Sequence, residues 1–484
     1  MLDARPSSAR RSWWLREALS AEPASLAGAE AAPPFAGRAD ADLAIVGGGY
    51  TGLWTALRVM EQAPATRVTI VESDICGGGP SGRNGGFVTA WWDELPALVG
   101  LFGDADGLRV ARASSDVVGE IGSWCEANGV DAWYRRAGHL QVSAAPAQDG
   151  AWDEAVAACR RLGAADEYRP LTTDEVADRI RSRVFRAGVF MPAAATVQPA
   201  LLARGLRRVA LDREVAIHEG TQALGLARAG DGRVVVRTSS PAGRGELLAD
   251  RVVLAINAWA AGWPGLGHRI ATWSSYIVLT EPIPDRLAEI GWTGGEGVTD
   301  SRITLHYART TPDGRIALGG GGGRAGFGGR IGERFTADEV SARRAARGLR
   351  RWFKPLRDVR LEDAWGGPID VSADHLPFAG TLAGGRVHYA LGYSGNGVGP
   401  AAVMGKALAS LVLDLDDEWR TLPLVGRRTR PFPPEPFRSI GARLFREAMT
   451  RREVAEQQGR RASLAARELS RLPRRFGYHL GPED

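Results

Sequence analysis

A chain of 484 residues exceeds what one hydrophobic core usually serves, so two packed domains are predicted. Its composition, 44% hydrophobic and 24% charged, is that of a globular protein; no apolar run approaches the roughly 20 residues of a membrane span, and residues 1–40 lack the apolar core of a signal peptide, which together predict a cytoplasmic location. The pI near 9.3 does not argue for nucleic acid, because residues 427–484 hold 14 arginines against 7 acidic residues, a net of +7 that leaves −2 on the rest of the chain.

Three cysteines, Cys76, Cys125 and Cys159, stand singly with no metal-ligand spacing; they predict reduced thiols and no metal site. The chain opens with a predicted helix over Ser12 to Leu19, packed through Trp13, Trp14 and Leu19, and an Ala/Pro/Gly-rich connector to Pro34. Asp42 to Gly47 then reads as a buried parallel strand, since Leu43, Ala44, Ile45 and Val46 form an almost continuous apolar run. Directly after it comes G-x-G-x-x-G at Gly47, Gly49 and Gly52, with Tyr50 and Thr51 between, opening a predicted helix. The first glycine permits the tight turn, the second lets backbone approach a pyrophosphate, and the third lets helix and strand pack closely. The helix N-terminus then faces the phosphates. Arg67 to Val71 reads as the next strand and ends on Glu72, 20 residues past Gly52, where a carboxylate accepts hydrogen bonds from a ribose with a free 2′-hydroxyl. Strand, glycines, helix, strand and acid in that order predict a dinucleotide-binding unit.

A second glycine-rich stretch follows from Cys76, closing on Ser81, Gly82, Arg83, Asn84, Gly85 and Gly86. Successive small residues let backbone N–H groups face a pyrophosphate, and Arg83 supplies positive charge. This S-G-R-N-G-G run resembles the second flavin-contacting loop of the D-amino-acid-oxidase-like (DAO) FAD oxidoreductases, in particular the branch containing gamma-glutamylputrescine oxidoreductase. The resemblance implies an α/β fold in which a Rossmann-like FAD-binding domain of the glutathione-reductase type is interleaved with an α+β substrate domain built on a mostly antiparallel sheet. It covers residues 40–415 in matching order.

Phe87 to Gly100 is rich in aromatics, and Trp91 or Trp92 is a candidate for lining a flat substrate pocket. Leu101 to Asn128 is predicted helical from Val110, Val117, Val118 and Ile121, followed by a strand over Trp133 to Val142 and helices over Gln148 to Cys159 and Leu171 to Ile180. Val184 to Pro192 begins the expected return to the FAD domain, with a helix from Gln198 to Leu211 and strands over Val215 to Ala223, Arg233 to Arg237 and Glu246 to Ile256. By resemblance, the backbone at Ala223 holds adenine, and Asn257 and Trp259 pass near the nucleotide, Asn257 standing where the family usually has glycine. Residues 263–355 return to the substrate domain through short β-rich runs at Tyr276 to Thr280, Thr304 to Ala308 and Arg315 to Gly319. Their pocket candidates are Tyr276, His306, Tyr307 and Arg309; His306 and Tyr307 fall on opposite faces of a strand, so at most one lines the site. The glycine run from Gly319 to Gly323 permits close approach of backbone or ligand, and Thr336 to Phe353 is a helix with a solvated arginine face.

The third signature begins at Trp365, Gly366, Gly367, Pro368, Ile369 and Asp370, taken as the last return to the FAD domain. It continues through a strand at Val387 to Leu391 and a turn with Gly392, Gly395, Asn396, Gly397 and Val398 before an alanine-rich helix from Pro400 to Leu413. A helix N-terminus there stabilises negative charge developing on a flavin. The predicted division is an N-terminal helix and connector (1–40), an FAD-binding domain (41–100, 190–262 and 356–415), a substrate domain (101–189 and 263–355) and a basic helical tail (416–484). Phe437, Ile440, Leu444 and Ala448 share one face of a tail helix, a second helix follows near Ser463 to Leu472, and the pair is expected to dock on the body or on a neighbouring copy, leaving homo-oligomer and monomer open.

The chemistry expected is FAD-dependent oxidation of an amine, with hydride passing to the flavin from the carbon bearing neutral nitrogen and the resulting imine hydrolysed by water. Ile369 stands where glycine oxidase carries a carboxylate-clamping arginine, which disfavours a simple α-amino acid unless Arg302, Arg309 or Arg324 substitutes. No cysteine near Asp370 or histidine in the Ser81 to Gly86 loop offers a covalent flavin link, so FAD is expected to be non-covalent. Neither Lys354 nor Lys406 matches the family's oxygen-activating lysine, which leaves oxygen or another electron acceptor open. A monooxygenase using NAD(P)H and an FAD-stabilised binding protein without turnover are the alternatives.

Overall fold

The computed structural model describes residues 11–23, 31–320 and 323–478. Two eight-stranded sheets carry the body. The first has a parallel centre: Gly37–Val46 lies between Val68–Val71 on one side and Gly243–Leu254 on the other, with Ala216–His218 and Val387–Leu391 extending the two flanks in parallel. Phe378–Thr381 adds an antiparallel edge, and Gln222–Arg228 and Val234–Ser240 form a meander on the long strand Gly243–Leu254. The second half of the central strand, Leu43–Val46, is buried on both faces, which explains its continuous apolar sequence. The chain goes on from it to Val68–Val71 on one side while Gly243–Leu254, from much later in the sequence, lies on the other, so the glycine turn at its carboxyl end sits at a switch in strand order of the kind that takes a nucleotide.

The second sheet runs Leu361–Val371, Ala271–Thr280, Ile316–Gly320, His306–Thr310, Gly297–Asp300, His139–Val142, Gly188–Met191 and Arg169–Leu171. All pairs are antiparallel except Gly297–Asp300 with His139–Val142. Two strands expected with the nucleotide-binding part therefore pair here instead. Gly188–Met191 joins His139–Val142, and Leu361–Val371 runs along Ala271–Thr280. A short apolar run specifies that a strand is buried but not which strand it pairs with.

Several boundaries move for local reasons. The run from Leu101 splits into helices Leu95–Phe102 and Asp104–Ala127 at Gly103, whose φ of 80° no helix accommodates. Trp133, at φ 51°, lies outside any strand, and only His139–Val142 is extended. The segment Val215 to Ala223 breaks into two strands at Gly220, φ 63°. Helix Glu339–Trp352 lays Ala345, Leu349 and Trp352 on the second sheet. Residues 24–30 of the expected connector, Gly321 and Gly322 of the glycine run, and residues 479–484 lie outside the described residues. Among the described residues no helix is long and apolar enough to cross a membrane, and all three cysteines are unpaired and buried.

The N-terminal helix Trp13–Ala21 docks through Trp14, Leu15 and Ala18, with Trp13 and Leu19 only partly covered. Trp14 packs edge-on against Trp133 and Trp365. Its cap, Ser12, accepts from the Leu15 N–H at 3.1 Å and donates to the Gly82 carbonyl at 2.5 Å, tying the helix to the second glycine-rich loop. Ser12→Ala is expected to lower stability by about 1 kcal/mol through loss of the cap, read as a fall in melting temperature of the FAD-loaded protein.

Candidate active site

A single cavity of about 1100 Å³ runs from the first glycine turn to the second sheet and the tail. Pockets of about 300–1,000 Å³ hold drug-sized ligands, so the space suits a dinucleotide with room left over. At its nucleotide end the backbone is packed so closely that side chains have no place. A Cβ on Gly47, φ 109°, would stand 2.4 Å from the Ala255 carbonyl, and one on Gly49 would stand 2.9 Å from Ser81 Oγ. Ser81 Oγ in turn accepts the Tyr50 N–H at 2.9 Å, so the two glycine-rich loops are joined where the helix Tyr50–Gln62 begins. Glu72 faces the same space. One of its oxygens accepts from the Gly48 N–H at 2.8 Å and the other from the Asp74 N–H at 2.9 Å, leaving lone pairs for further donors. Burial pushes its carboxyl up to about 7, with those two N–H groups pulling the other way.

The second loop adds Arg83, 3% exposed, whose Nε donates to the Gly78 carbonyl at 3.0 Å. Burial lowers this guanidinium to about 10, opposed by Asp74. Asn84 orders the loop by donating to the Pro80 and Ser81 carbonyls and accepting from the Gly86 N–H at 2.7 Å. Across the cavity, Asp370 is fully buried and gathers the third glycine turn: it accepts the Asn257 amide at 2.7 Å and the Gly392 N–H at 2.6 Å. Asn257 sits at φ 44°, a conformation asparagine tolerates and glycine takes freely. Tyr393 meets Thr51 Oγ1 at 2.7 Å, linking this turn to the first helix. The helix Val398–Leu413 starts here, and Gly397 and Val398 line the cavity.

Of the residues expected around the nucleotide, Gly47, Gly49, Tyr50, Thr51, Glu72, Ser81, Arg83, Asn84, Gly85, Ala223, Asn257, Trp259, Gly395, Asn396, Gly397 and Val398 line one cavity. Gly52, Gly82, Gly86 and Gly392 do not. Gly52, Gly82 and Gly86 stand behind the wall in backbone contact, a Cβ on Gly52 lying 2.0 Å from the Gly47 carbonyl and one on Gly82 2.2 Å from the Gly77 carbonyl, while Gly392, φ 83°, is packed against the Phe378 and Ser372 side chains.

The substrate-side candidates separate more sharply. Tyr307 lines the cavity, bonded to Ser275 Oγ at 2.8 Å, edge-on to Phe87, and kept neutral by burial that pushes it up to about 12. His306, its neighbour on the strand, turns to the other face, against Gly348 and Trp352. Tyr276 is buried beside Gly366 with its hydroxyl on the Arg334 carbonyl, and Trp92 donates to Ser115 Oγ at 3.3 Å inside the core; neither lines the cavity, whereas Trp91 does. Arg309 is bonded to the Val197 and Thr310 carbonyls, and Arg324 is paired with Asp338 at 2.7 Å. Arg302 reaches the cavity but is paired with Asp300 at 2.6 Å, while Ile369 faces the cavity directly. Lys406 is held by Glu120 at 2.6 Å, away from it.

Residues without a sequence signal complete the wall. His139, Gln141, Trp152 and Tyr168 come from three different segments and converge only in the fold. His139 is buried and lowered to about 4, hence neutral, with Nε2 on Thr299 Oγ1 at 2.9 Å. Asp93 and Glu94, next to Trp91, could have been found as adjacent acids in an aromatic run. Asp93 opens onto the cavity with an exposed surface, and the protein packed around the cavity together with the charge of Glu94 pushes its carboxyl up to about 7.

A family model described as DAO, FAD dependent oxidoreductase, matches residues 42–411. The chain is 30% identical over 403 residues to a probable oxidoreductase OrdL of Rhizobium meliloti (strain 1021), covering 80% of this chain and 86% of that protein. It is 27% identical over 429 residues to the gamma-glutamylputrescine oxidoreductase of Escherichia coli (strain K12), covering 84% and 92%. Among solved structures, glycine oxidase from Geobacillus kaustophilus superposes with a TM-score of 0.64 at 18% identity over 80% of this chain and 99% of that one.

Proposed function

The chain belongs to the DAO family of FAD-dependent oxidoreductases, and from that premise we propose that it oxidises the carbon–nitrogen bond of a primary or secondary amine that need not be an α-amino acid. The observation carrying this reading is the continuity of one cavity, from the glycine turns and Glu72 to a wall that presents Tyr307, Asp93 and Ile369. In this reading Glu72 takes a ribose hydroxyl, the backbone from Gly47 to Thr51 and from Ser81 to Asn84 takes the pyrophosphate, and Ala223 backs the adenine. The start of the helix at Val398 and the turn before it would offer positive dipole ends to negative charge on a flavin held there. FAD, when bound, supplies the acceptor for the hydride leaving the carbon next to nitrogen.

The chain's own residues then bind and orient the amine. Asp93 and Glu94 give the substrate side a negative field that draws in an ammonium group, and neutral Tyr307 and His139 contribute polarity without repelling it. Ile369 in the wall offers no guanidinium, and Arg302, which could substitute for one, is committed to Asp300, so neither position favours a carboxylate beside the reacting carbon. Proton loss to solvent leaves the neutral amine that can give up hydride, and water hydrolyses the imine to a carbonyl compound.

The deciding experiment is anaerobic titration of the FAD-loaded protein with monoamines, polyamine conjugates, N-methyl amino acids and NADPH, read at the flavin visible band. Bleaching by an amine supports the proposal, and bleaching by NADPH alone points to a monooxygenase. Asp93→Asn is expected to raise the KM for amines about tenfold, the loss of one charge-assisted contact. Because Asp93 is raised to about 7, it is protonated below and charged above that value. The wild-type kcat/KM should therefore carry a rising step through about pH 7 that the Asn variant lacks.

A further inference from the structure

The family match ends at residue 411, yet residues from the tail form part of the cavity wall. Helix Phe437–Gln457 is pinned to the body along its length. Arg438 donates to the Gly267 carbonyl at 2.8 Å, Arg446 donates to the Gly323 carbonyl at 3.2 Å, and Glu453, 5% exposed, accepts the Thr304 N–H at 2.8 Å as well as its hydroxyl. Thr304 lies in the segment from Asp300 to Leu305 that lines the cavity, so the latch fixes tail and cavity wall together. Helix Leu464–Arg475 packs on the first.

From these two helices Phe437, Leu444, Phe445, Leu469, Leu472 and Phe476 line the same cavity as Glu72 and Tyr307. Leu444 is 54% exposed and Phe476 57%, surface that water wets unfavourably and an apolar occupant would bury. The tail is otherwise arginine-rich, and of its exposed large apolar residues Phe437, Leu444, Leu469, Leu472 and Phe476 line the cavity whereas Ile440, Val454 and Leu464 do not. Resting on the amine reading above, we propose that the C-terminal helical pair is the specificity wall of the substrate chamber and that the substrate is an amine bearing a sizeable apolar group, alkyl or aryl, which lies along Leu444, Leu469, Leu472 and Phe476.

The test uses the FAD-loaded full-length protein and straight-chain primary amines from propylamine to octylamine, with the apparent dissociation constant taken from anaerobic flavin reduction. Burial of a methylene is worth about 0.8 kcal/mol, so wild type should bind about fourfold tighter for each one added until the chamber is full. In Leu444→Ser and Leu472→Ser the gain should fall below about twofold per methylene. Ile440→Ser serves as the control, because Ile440 is 52% exposed on the same helix but lies off the cavity, and it should keep the wild-type dependence. Flavin reduced equally well by short and long amines in wild type overturns the wall while leaving amine oxidation intact. So does an Ile440→Ser variant that flattens the series as much as the other two. Flavin reduced by none of the amines defeats the amine reading, and the wall falls with it.

Discussion

Gly49→Val is expected to lose FAD while keeping the fold. Gly49 caps the first helix at φ −86° and ψ −174°, an extended conformation that valine adopts without strain. The contact its Cβ would make is with Ser81 Oγ at 2.9 Å, the movable end of a short side chain, so the protein yields by turning Ser81 away from the Tyr50 N–H. What cannot yield is the space in front of the helix N-terminus, which the two valine methyl groups would fill where a pyrophosphate must approach backbone. A drop in FAD affinity on the order of 100-fold, about 2.7 kcal/mol, should appear as a colourless purified protein whose apo state loses no more than the one hydrogen bond to Tyr50, about 1 kcal/mol, in stability. Gly52 makes the contrast: a methyl there meets the Gly47 carbonyl at 2.0 Å, backbone against backbone, and the turn itself must give way. A Gly49→Val protein that binds FAD normally would remove the first glycine turn from the nucleotide site.

Asp370→Ala should cost about 3 kcal/mol of stability and slacken the third glycine turn. The fully buried carboxylate answers both the Gly392 N–H and the Asn257 amide, and deleting it leaves two donors without acceptors in a dry site. The turn from Gly392 to Val398 and the left-handed Asn257 would lose their common anchor, so FAD affinity should fall with stability. Denaturant unfolding and FAD titration of the same variant measure the two together. The pH dependence has a definite sign. Burial raises Asp370 to about 7 in the folded protein, against about 3.9 for an unperturbed aspartate. The folded state therefore holds its proton more tightly, and the stability contributed by that proton is present below about pH 4 and lost as pH rises through about 7. Glu72, raised to about 7 by burial as well, acts in the same direction. The apoprotein should melt lower at pH 8 than at pH 5, and Asp370→Asn, which cannot ionise, should show a shallower decline. An identical decline in the variant would place the titration elsewhere.

The glycine-rich half of the proposed site was legible because its chemistry is local. Gly47 through Gly52, Glu72 and Ser81 through Asn84 act through backbone shape and a few side chains within a short span of chain, so spacing alone carries their meaning. The same locality explains why Gly82, Gly86 and Gly392 belong to the motifs yet stay off the cavity: a motif records every position where a side chain is forbidden, whether by a ligand, by neighbouring backbone as at Gly82 and Gly86, or by packed side chains and a positive φ as at Gly392. The substrate half was legible only in outline. Strand alternation correctly set His306 and Tyr307 on opposite faces, but which face meets the cavity depends on where helix Glu339–Trp352 packs, and that helix took His306. Between adjacent tryptophans, Trp91 rather than Trp92 reached the cavity because Trp92 found Ser115 in the core.

By itself, then, the sequence determined an FAD-type dinucleotide unit, its three glycine signatures and the absence of an arginine at Ile369. These are consequences of residues close in the chain, where steric exclusion and hydrogen-bonding capacity are written position by position. Only the tertiary structure decided that Leu361–Val371 and Gly188–Met191 pair in the second sheet, that His139, Gln141, Trp152 and Tyr168 share a wall, and that the basic tail turns its apolar face to the cavity. Those outcomes depend on strand pairing and helix docking between segments tens to hundreds of residues apart, where many partners satisfy the same hydrophobic pattern and the packing of the whole molecule selects one.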